Sequence, residues 1–176
     1  TYKPEVMQAV LDAGASIIND IWALRWRSGP DGLDGEQVVA RHPSCGVCLM
    51  HMHRDPQSMQ VQPMQGSLLD TVQEVRAFLE QRSHVLRSLG VTKDRIVLDP
   101  GIGFGKTVPQ NLALLAHQRE LMRGGHAVLA GWSRKSALGA VTGRPVEQRL
   151  AASLAAALAA VQCGARVIRV HDVAAT

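Results

Sequence analysis

The side chains best suited to chemistry lie where predicted β-strands end. Arg169 and His171 are two residues apart, so in a strand both would point to one face. Together they would make a good grip for phosphate oxygens. Asn19, which shares a strand face with Ile17, and Asp99 follow two earlier apolar runs. The spacing therefore indicates a polar site that could accept an anionic ligand.

A single buried Asn or Asp usually has a structural role, such as capping the next helix. Here, however, polar groups end every predicted strand: Asn19-Asp20, His51 with His53, Asp99-Pro100-Gly101, Ser133-Arg134-Lys135-Ser136 and Arg169-Val170-His171-Asp172. In parallel α/β folds the site lies at the carboxyl ends of the strands. Polar groups at all five strand ends favour a functional site over five separate structural roles.

The glycine-rich stretch of residues 99–107 invites comparison with a phosphate-binding loop. Counting back from Gly105-Lys106-Thr107, however, Pro100 stands where the Walker pattern needs glycine. Pro109 and Gln110 should also delay the following helix. We therefore favour close approach of the backbone to a flat ligand, with Phe104 packing on it.

Two metal sites can be considered and neither is favoured. Cys45 and Cys48 have the spacing of half a zinc site, but no second pair exists and Cys48 lies in an apolar run, which indicates a buried strand cysteine. His51 and His53 could share a face, yet a structural His51 whose ring bonds a neighbouring strand is the better interpretation.

Hydrophobic periodicity predicts one α/β domain. The strands are expected at residues 15–20, 46–51, 95–100, 127–133 and 166–172, with nearly continuous apolar centres typical of parallel strands. Helices are expected from Pro4 to Gly14 and over 68–89, 111–123 and 146–161, with a capping box formed by Ser67 and Asp70. An open doubly wound sheet and a (β/α)8 barrel both fit this alternation, although a complete barrel needs about 250 residues.

Composition narrows the function classes. Aromatic residues are 3% of the 176 residues and no basic cluster is interleaved with them, which argues against a nucleic-acid platform. The net charge of +4 suits a small anionic substrate. The absence of a membrane-spanning apolar run and of a secretory leader, with three cysteines, predicts a cytoplasmic protein in a reducing compartment.

Six motifs resemble those of the dihydropteroate synthase family in order and spacing. They are Thr1-Tyr2-Lys3-Pro4-Glu5-Val6, Ile18-Asn19-Asp20-Ile21, Leu49-Met50-His51-Met52, residues 98–106, Gly131-Trp132-Ser133-Arg134-Lys135-Ser136 and Arg169-Val170-His171-Asp172-Val173. The resemblance implies a TIM (β/α)8 barrel that is incomplete here, with residues 1–176 as the C-terminal part of a single pterin-binding domain. The first strands, with their two mobile loops, and the last helix would be absent.

The resemblance also implies an activity and its residues. The family joins 6-hydroxymethyl-7,8-dihydropterin diphosphate to 4-aminobenzoate, giving 7,8-dihydropteroate and diphosphate. By motif, the pterin would contact Asn19, Asp99 and Lys135, and the diphosphate would contact Arg169 and His171. Met50, Gly103, Phe104 and Ser133 would line the pocket, and Lys135 with Ser136 would lie on the 4-aminobenzoate side.

Further expectations come from the same resemblance. Mg²⁺ would accompany the diphosphate, with its Asn ligand outside this chain, and the protein would be a homodimer. Arg54 stands where the family often has Gly, and Trp132 is a bulky residue expected in an outward-facing core position. The isolated segment should be inactive, because half a pocket and an open sheet edge would remain.

Three other interpretations stay open at this level. A methyltetrahydrofolate-using corrinoid methyltransferase would share the barrel and the Asn/Asp pterin contacts, but would not need the phosphate grip. A metal-dependent amidohydrolase would hold zinc on His51 and His53. A noncatalytic remnant is also conceivable, although the complete set of polar strand ends argues against it.

Overall fold

A parallel sheet with helices between its strands organises the chain. The computed structural model describes residues 1–27, 29, 32–59 and 61–176. Within them the sheet runs in chain order, as β1 (Ile17–Asp20), β2 (Gly46–Met50), β3 (Ile96–Asp99), β4 (Ala127–Ala130) and β5 (Val167–Ile168). All strand pairs are parallel, and each strand is the neighbour of the one before it. The sheet is a half-barrel, as the barrel interpretation predicted, and not a doubly wound sheet.

The helices between the strands cover the outer face. They are α1 (Pro4–Asp12), α2 (Gly35–Arg41), α3 (Leu68–Ser88), α4 (Val108–Ala116), α5 (Gln118–Leu121), α6 (Ser136–Thr142) and α7 (Leu150–Gln162). The predicted capping box before α3 is confirmed: Ser67 Oγ accepts from the Asp70 amide at 3.1 Å, and the Asp70 carboxylate accepts from the Ser67 amide at 3.0 Å. None of the helices in the described part of the chain is long and apolar enough to cross a membrane.

Several predicted boundaries were wrong for identifiable reasons. Helix α4 begins at Val108, so Pro109 does not delay it: proline is tolerated in a first turn, and Gln110 closes a capping box with Thr107. The predicted helix over 111–123 is broken at His117. The region 146–161 begins with a 3-10 turn, Val146–Gln148, before α7. Helix α2 was missed because it is only seven residues long.

The last strand is much shorter than predicted. Only Val167–Ile168 pair with β4, followed by one more bond from the Arg169 amide to the Ala130 carbonyl at 3.1 Å. The polar residues that follow leave the ladder because they bond the loop after β4. His171 bonds Ser133, and Asp172 forms an ion pair with Arg134. The functional end of this strand is therefore a loop held to its neighbour by side chains.

The core lies between the helices and the outer face of the sheet. Trp132 is 2% exposed in this core, which confirms its expected position. The inner face is less completely covered: Ile17 is 64% exposed and Val167 is 38% exposed. Apolar side chains on the concave side of the sheet are thus accessible at its two edges.

Candidate active site

The strand register brings the polar strand ends onto one face. Asn19 pairs with Cys48, and Met50 pairs with Asp99. Cys48 and Met50 are two residues apart and so point to the same side of the sheet. Asn19, Met50 and Asp99 therefore all belong to the concave face, with Asn19 two strands away from Asp99.

Asp99 is a buried carboxylate in which one oxygen accepts a hydrogen bond and the other has no partner among the described residues. The side chain is 1% exposed, and its Oδ1 accepts from the Gly101 amide at 2.7 Å. Oδ2 has no hydrogen-bond partner in the described residues; its nearest cation is Arg169, with Nη2 at 3.5 Å. Burial raises the pKa of Asp99, while Arg169, the Gly101 amide, Lys135 and Lys106 oppose that increase. An available acceptor therefore lies at the centre of the concave face.

Asn19 presents a second available acceptor. Its Oδ1 is buried and, among the residues described, has no hydrogen-bond partner. The neighbouring Asp20 has a structural role, since its two carboxylate oxygens accept from the amides of Trp22 at 2.9 Å and Leu24 at 2.7 Å. Asp20 thus fixes the loop after β1, while Asn19 faces the concave side.

A cavity of about 340 Å³ opens beside Asp99. It is lined by Gly131, Ser133, Lys135, Arg169, Val170 and His171. Gly131 lets the Arg169 side chain pass across the end of β4, because a Cβ at that position would lie 2.9 Å from Arg169 Nη2. The predicted phosphate-binding pair, Arg169 and His171, therefore lines one cavity together with Lys135.

His171 is oriented by Ser133. The Ser133 hydroxyl oxygen accepts from the His171 amide at 3.1 Å and lies 2.9 Å from the ring atom Nδ1. The nearby ion pair of Arg134 and Asp172, with Nε and Oδ2 at 3.0 Å, holds the same loop to the end of β4. The His171 residue is exposed, so its ring can meet a ligand at the rim of the cavity.

Lys135, which lines the cavity, also lies against the glycine-rich loop. The Lys135 ammonium lies 4.5 Å from the centroid of the Phe104 ring, in a cation–π contact. Gly103 has φ +81°, and a Cβ there would lie 3.3 Å from Lys135 Cδ. Burial lowers the pKa of Lys135; Asp99 raises it and Arg169 lowers it further. The glycine allows the lysine stem to lie against the loop backbone.

The chain is similar to known proteins over nearly all of its length. Residues 1–171 match the family of pterin binding enzymes. The chain belongs to that family. It is 44% identical over 174 residues to the dihydropteroate synthase of Haemophilus influenzae, covering 99% of this chain and 60% of that protein.

Solved structures agree with the family assignment. The dihydropteroate synthase of Stenotrophomonas maltophilia, with active site-bound imidazole, matches with a TM-score of 0.89 at 44% identity, over 99% of this chain and 63% of that one. The Burkholderia cenocepacia enzyme complexed with 7,8-dihydropteroate matches with a TM-score of 0.87 at 49% identity, over 100% and 62%. The chain thus spans about 60% of the length of the relatives it matches.

Within this pterin-binding fold His51, the first of the two histidines after β2, has a structural position. His51 is buried and packs edge-on against Phe78, with ring centroids 5.0 Å apart. Its Nδ1 has no hydrogen-bond partner in the part of the chain described, so this ring atom does not make the expected bond to a neighbouring strand. Burial lowers the pKa of His51 to about 2. The described residues contain no group of three or more metal-ligating side chains.

The cysteines have the structural role that was expected. Cys48 is buried in β2, and burial raises the pKa of its thiol above its ordinary range. Cys45 is buried as well, and its carbonyl accepts from Arg95 Nε at 2.8 Å. The pair is part of the packing around β2.

Sequence reasoning missed one residue of this region. Lys106 belongs to the glycine-rich motif, and only 7% of this residue is exposed. Its ammonium donates to three backbone carbonyls, those of His51, Gly101 and Phe104. The signal available in the sequence was a lysine immediately after three alternating glycines.

Proposed function

We propose that the protein containing this chain is a dihydropteroate synthase, a transferase of folate biosynthesis. It would condense 6-hydroxymethyl-7,8-dihydropterin diphosphate with 4-aminobenzoate and release diphosphate. The observation that carries the proposal is a pair of unsatisfied buried acceptors, on Asn19 and Asp99, on the concave face, together with the contact of Asp99 with Arg169, which lines a cavity with Lys135 and His171. The names of the relatives, each a dihydropteroate synthase, support the same activity.

The pterin ring would satisfy the two buried acceptors. Buried polar atoms are nearly always hydrogen-bonded, so Asn19 Oδ1 and Asp99 Oδ2 call for donors from a ligand. A 2-amino-4-oxo pterin carries N–H donors along one edge and an oxo acceptor beside them. The oxo group would accept from Lys135, while Met50, Gly103, Phe104 and Ser133 would line the ring pocket.

Arg169 and His171 would hold the leaving group. The C–O bond between the pterin methylene and the diphosphate breaks with its electron pair leaving on the diphosphate oxygen. The resulting carbocation is stabilised by the electron-rich ring, and the arylamine nitrogen forms the new C–N bond and then loses a proton. Arg169 and His171 would stabilise the departing charge, and Asp99 would place a negative charge near the ring. Such a displacement depends on positioning and charge rather than on a protein nucleophile.

The 4-aminobenzoate would enter on the side of α6. Lys135 precedes that helix and Ser136 is its first residue, exposed beside the cavity that Lys135 lines. Their cationic and hydroxyl groups suit a carboxylate. The amine would then point toward the pterin methylene between the two sites.

The residues that line the cavity do not suit the magnesium ion that the resemblance implies. Mg²⁺ prefers oxygen ligands in an octahedral arrangement. The cavity instead presents an ammonium, a guanidinium and an imidazole, so these groups fit the diphosphate oxygens rather than the metal. We derive no step through magnesium from this chain.

The domain and assembly follow from the same proposal. The half-barrel and the 60% coverage of relatives support residues 1–176 as the C-terminal part of one pterin-binding barrel domain, with its first strands and last helix contributed by other sequence. We further propose a cytoplasmic homodimer. Exposed Leu158 and Val161 on α7 offer an apolar contact for a second copy.

A product assay on the full-length protein tests the proposed function. Incubation with the pterin diphosphate and 4-aminobenzoate should give 7,8-dihydropteroate and one equivalent of diphosphate, and residues 1–176 alone should give none. A protein that binds a reduced folate tightly but ignores the pterin diphosphate would instead be a methyltransferase, and the proposal would be rejected. Stoichiometric zinc on His51 and His53 would reject it in favour of an amidohydrolase.

A further inference from the structure

Lys106 is a buried cation surrounded by carbonyl oxygens. Its Nζ donates to the carbonyls of Gly101 at 2.9 Å, Phe104 at 3.2 Å and His51 at 3.3 Å. An ammonium has three N–H donors and no acceptor. Three carbonyls therefore match the charged form of Lys106 donor for donor, in a place where only 7% of the residue is exposed.

These carbonyls belong to the segments that shape the concave site. Gly101, Gly103 and Gly105 all have positive φ, at +68°, +81° and +73°, which folds the loop tightly. The loop closes with a bond from the Phe104 amide to the Gly101 carbonyl at 3.0 Å. Lys106 donates hydrogen bonds to both of these residues, so it connects the two ends of this turn.

The loop in turn positions the residues that face a ligand. The Gly101 amide orients Asp99 through its bond to Oδ1 at 2.7 Å. Phe104 carries the ring on which the Lys135 ammonium lies. Lys106 itself is not among the residues that line the cavity. Its influence therefore passes through Gly101 and Phe104.

We propose that Lys106 is a positioning residue of the pterin site: by gathering the carbonyls of His51, Gly101 and Phe104 it fixes the glycine-rich loop so that Asp99 and Phe104 meet the pterin ring. This inference rests on the proposed function. Lys106 also adds a positive charge near Asp99, in addition to those of Arg169 and Lys135. This charge favours the ionised form of Asp99, which can accept hydrogen bonds from the ring N–H groups.

Charged and titratable groups on the neighbouring elements interact electrostatically with Asp99 and Lys106. Those interacting with Asp99 are Arg169, Lys135, Lys106 and Cys48, and those interacting with Lys106 are Asp99, Lys135, Glu74, His51 and His53. Burial lowers the pKa of Lys106 to about 7, and Asp99 opposes this decrease. Removal of the Lys106 charge should therefore raise the pKa of Asp99.

The experiment compares Lys106→Met, Lys106→Arg and the surface control Lys93→Met in the full-length protein. Each variant is first checked for cooperative unfolding, and the Kd of the pterin diphosphate is then measured against pH. Lys106→Met should weaken pterin binding at least tenfold and move the acidic limb of the binding profile to higher pH. The KM for 4-aminobenzoate should stay within twofold, and Lys93→Met should match the wild type.

Lys106→Arg keeps the experiment decisive if the methionine variant fails to fold. A guanidinium retains the charge but cannot match three carbonyls around one nitrogen, so affinity should fall while the acidic limb stays in place. Wild-type pterin affinity in either folded variant would overturn the inference. The inference would also be overturned if Lys106→Met weakened binding of both substrates equally and left the pH profile unchanged. That result would indicate a general disruption of the site rather than a specific effect on the pterin. Absence of pteroate from the wild type would reject the proposed function instead.

Discussion

The guanidinium of Arg169 lies 3.5 Å from Oδ2 of Asp99, although β4 separates their two strands in the sheet. The contact is possible because Gly131, at the end of β4, has no side chain to obstruct it. Arg169 is partly exposed at the cavity, whereas Asp99 is buried on the concave face of the sheet, so the contact connects these two parts of the site. In the proposed reaction this relationship connects the diphosphate site with the pterin site.

Arg169→Ala should weaken binding of the diphosphate ester selectively. Loss of a charge-assisted contact costs about 1.5–3 kcal/mol, which is roughly tenfold to hundredfold in Kd. Binding of the corresponding pterin alcohol, which has no phosphate, should weaken less, and only through the loss of the Arg169 charge beside Asp99. Calorimetric titration of both ligands into the full-length protein, with exposed Arg87→Ala on α3 as control, measures the difference. Equal losses for alcohol and ester would contradict the assignment.

Asp99→Asn should stabilise the fold while it impairs pterin binding. Burial raises the pKa of Asp99 in the folded state. The free energy of unfolding of the wild type therefore increases as the pH falls through that raised pKa. The increase is complete below the ordinary carboxyl pKa of about 4. The amide avoids the charge burial, and the variant should be more stable at pH 7 by about 1 kcal/mol or more.

Denaturant unfolding at pH 7 and at pH 3.5 checks the direction of this predicted stability difference. The advantage of Asp99→Asn over the wild type should be present at the higher pH and shrink at the lower. An Asn variant that is less stable at pH 7 would mean that the ionised carboxylate stabilises the fold.

Gly101→Ala should destabilise the protein far more than Gly143→Ala does. Both glycines have φ +68°, so both substitutions incur a left-handed backbone cost of about 1 kcal/mol. Only at position 101 would the new Cβ overlap the His51 carbonyl oxygen; at Gly143 nothing lies within 4 Å. Thermal unfolding should show the larger loss at position 101, and equal losses would mean that the loop can shift without cost.

Arg54→Gly should increase stability. Arg54 has φ +60°, which explains in physical terms why glycine suits this position. Relief of the strain should contribute roughly 0.5–1 kcal/mol. Arg54→Ala removes the same side chain but keeps the strained φ, and it serves as the matched control in denaturant unfolding. If the alanine variant proves as stable as the glycine variant, backbone strain is not the cause.

The strands could be predicted because a parallel strand in an α/β fold has a nearly continuous apolar sequence. The polar residues that follow each apolar run then marked the strand ends. Ile96–Asp99 and Gly46–Met50 lie inside the predicted ranges for that reason. The end of β5 was not predictable, because its course depends on bonds to Ser133 and Arg134 rather than on periodicity. Helix α2 is too short to carry a clear helical period.

The site was only partly predictable for a related reason. Residue types at strand ends indicated Asn19, Asp99, Lys135, Arg169 and His171, and the parallel sheet explains why they share one end. The proximity of Arg169 to Asp99 depends on a missing side chain at Gly131, and Lys106 acts on backbone carbonyls from two separate segments. The first relationship leaves no spacing pattern in the sequence, and the second appears there only as a lysine immediately after three alternating glycines.

The central claim is that the concave face binds a pterin through its two buried acceptors and the diphosphate through the rim. The most direct measurement is a crystal structure of the full-length protein soaked with 6-hydroxymethyl-7,8-dihydropterin diphosphate. Ring nitrogens should lie within hydrogen-bond distance of Asn19 Oδ1 and Asp99 Oδ2, with diphosphate oxygens on Arg169 and His171. Density for the ligand at another surface, with these four side chains uncontacted, would contradict the account.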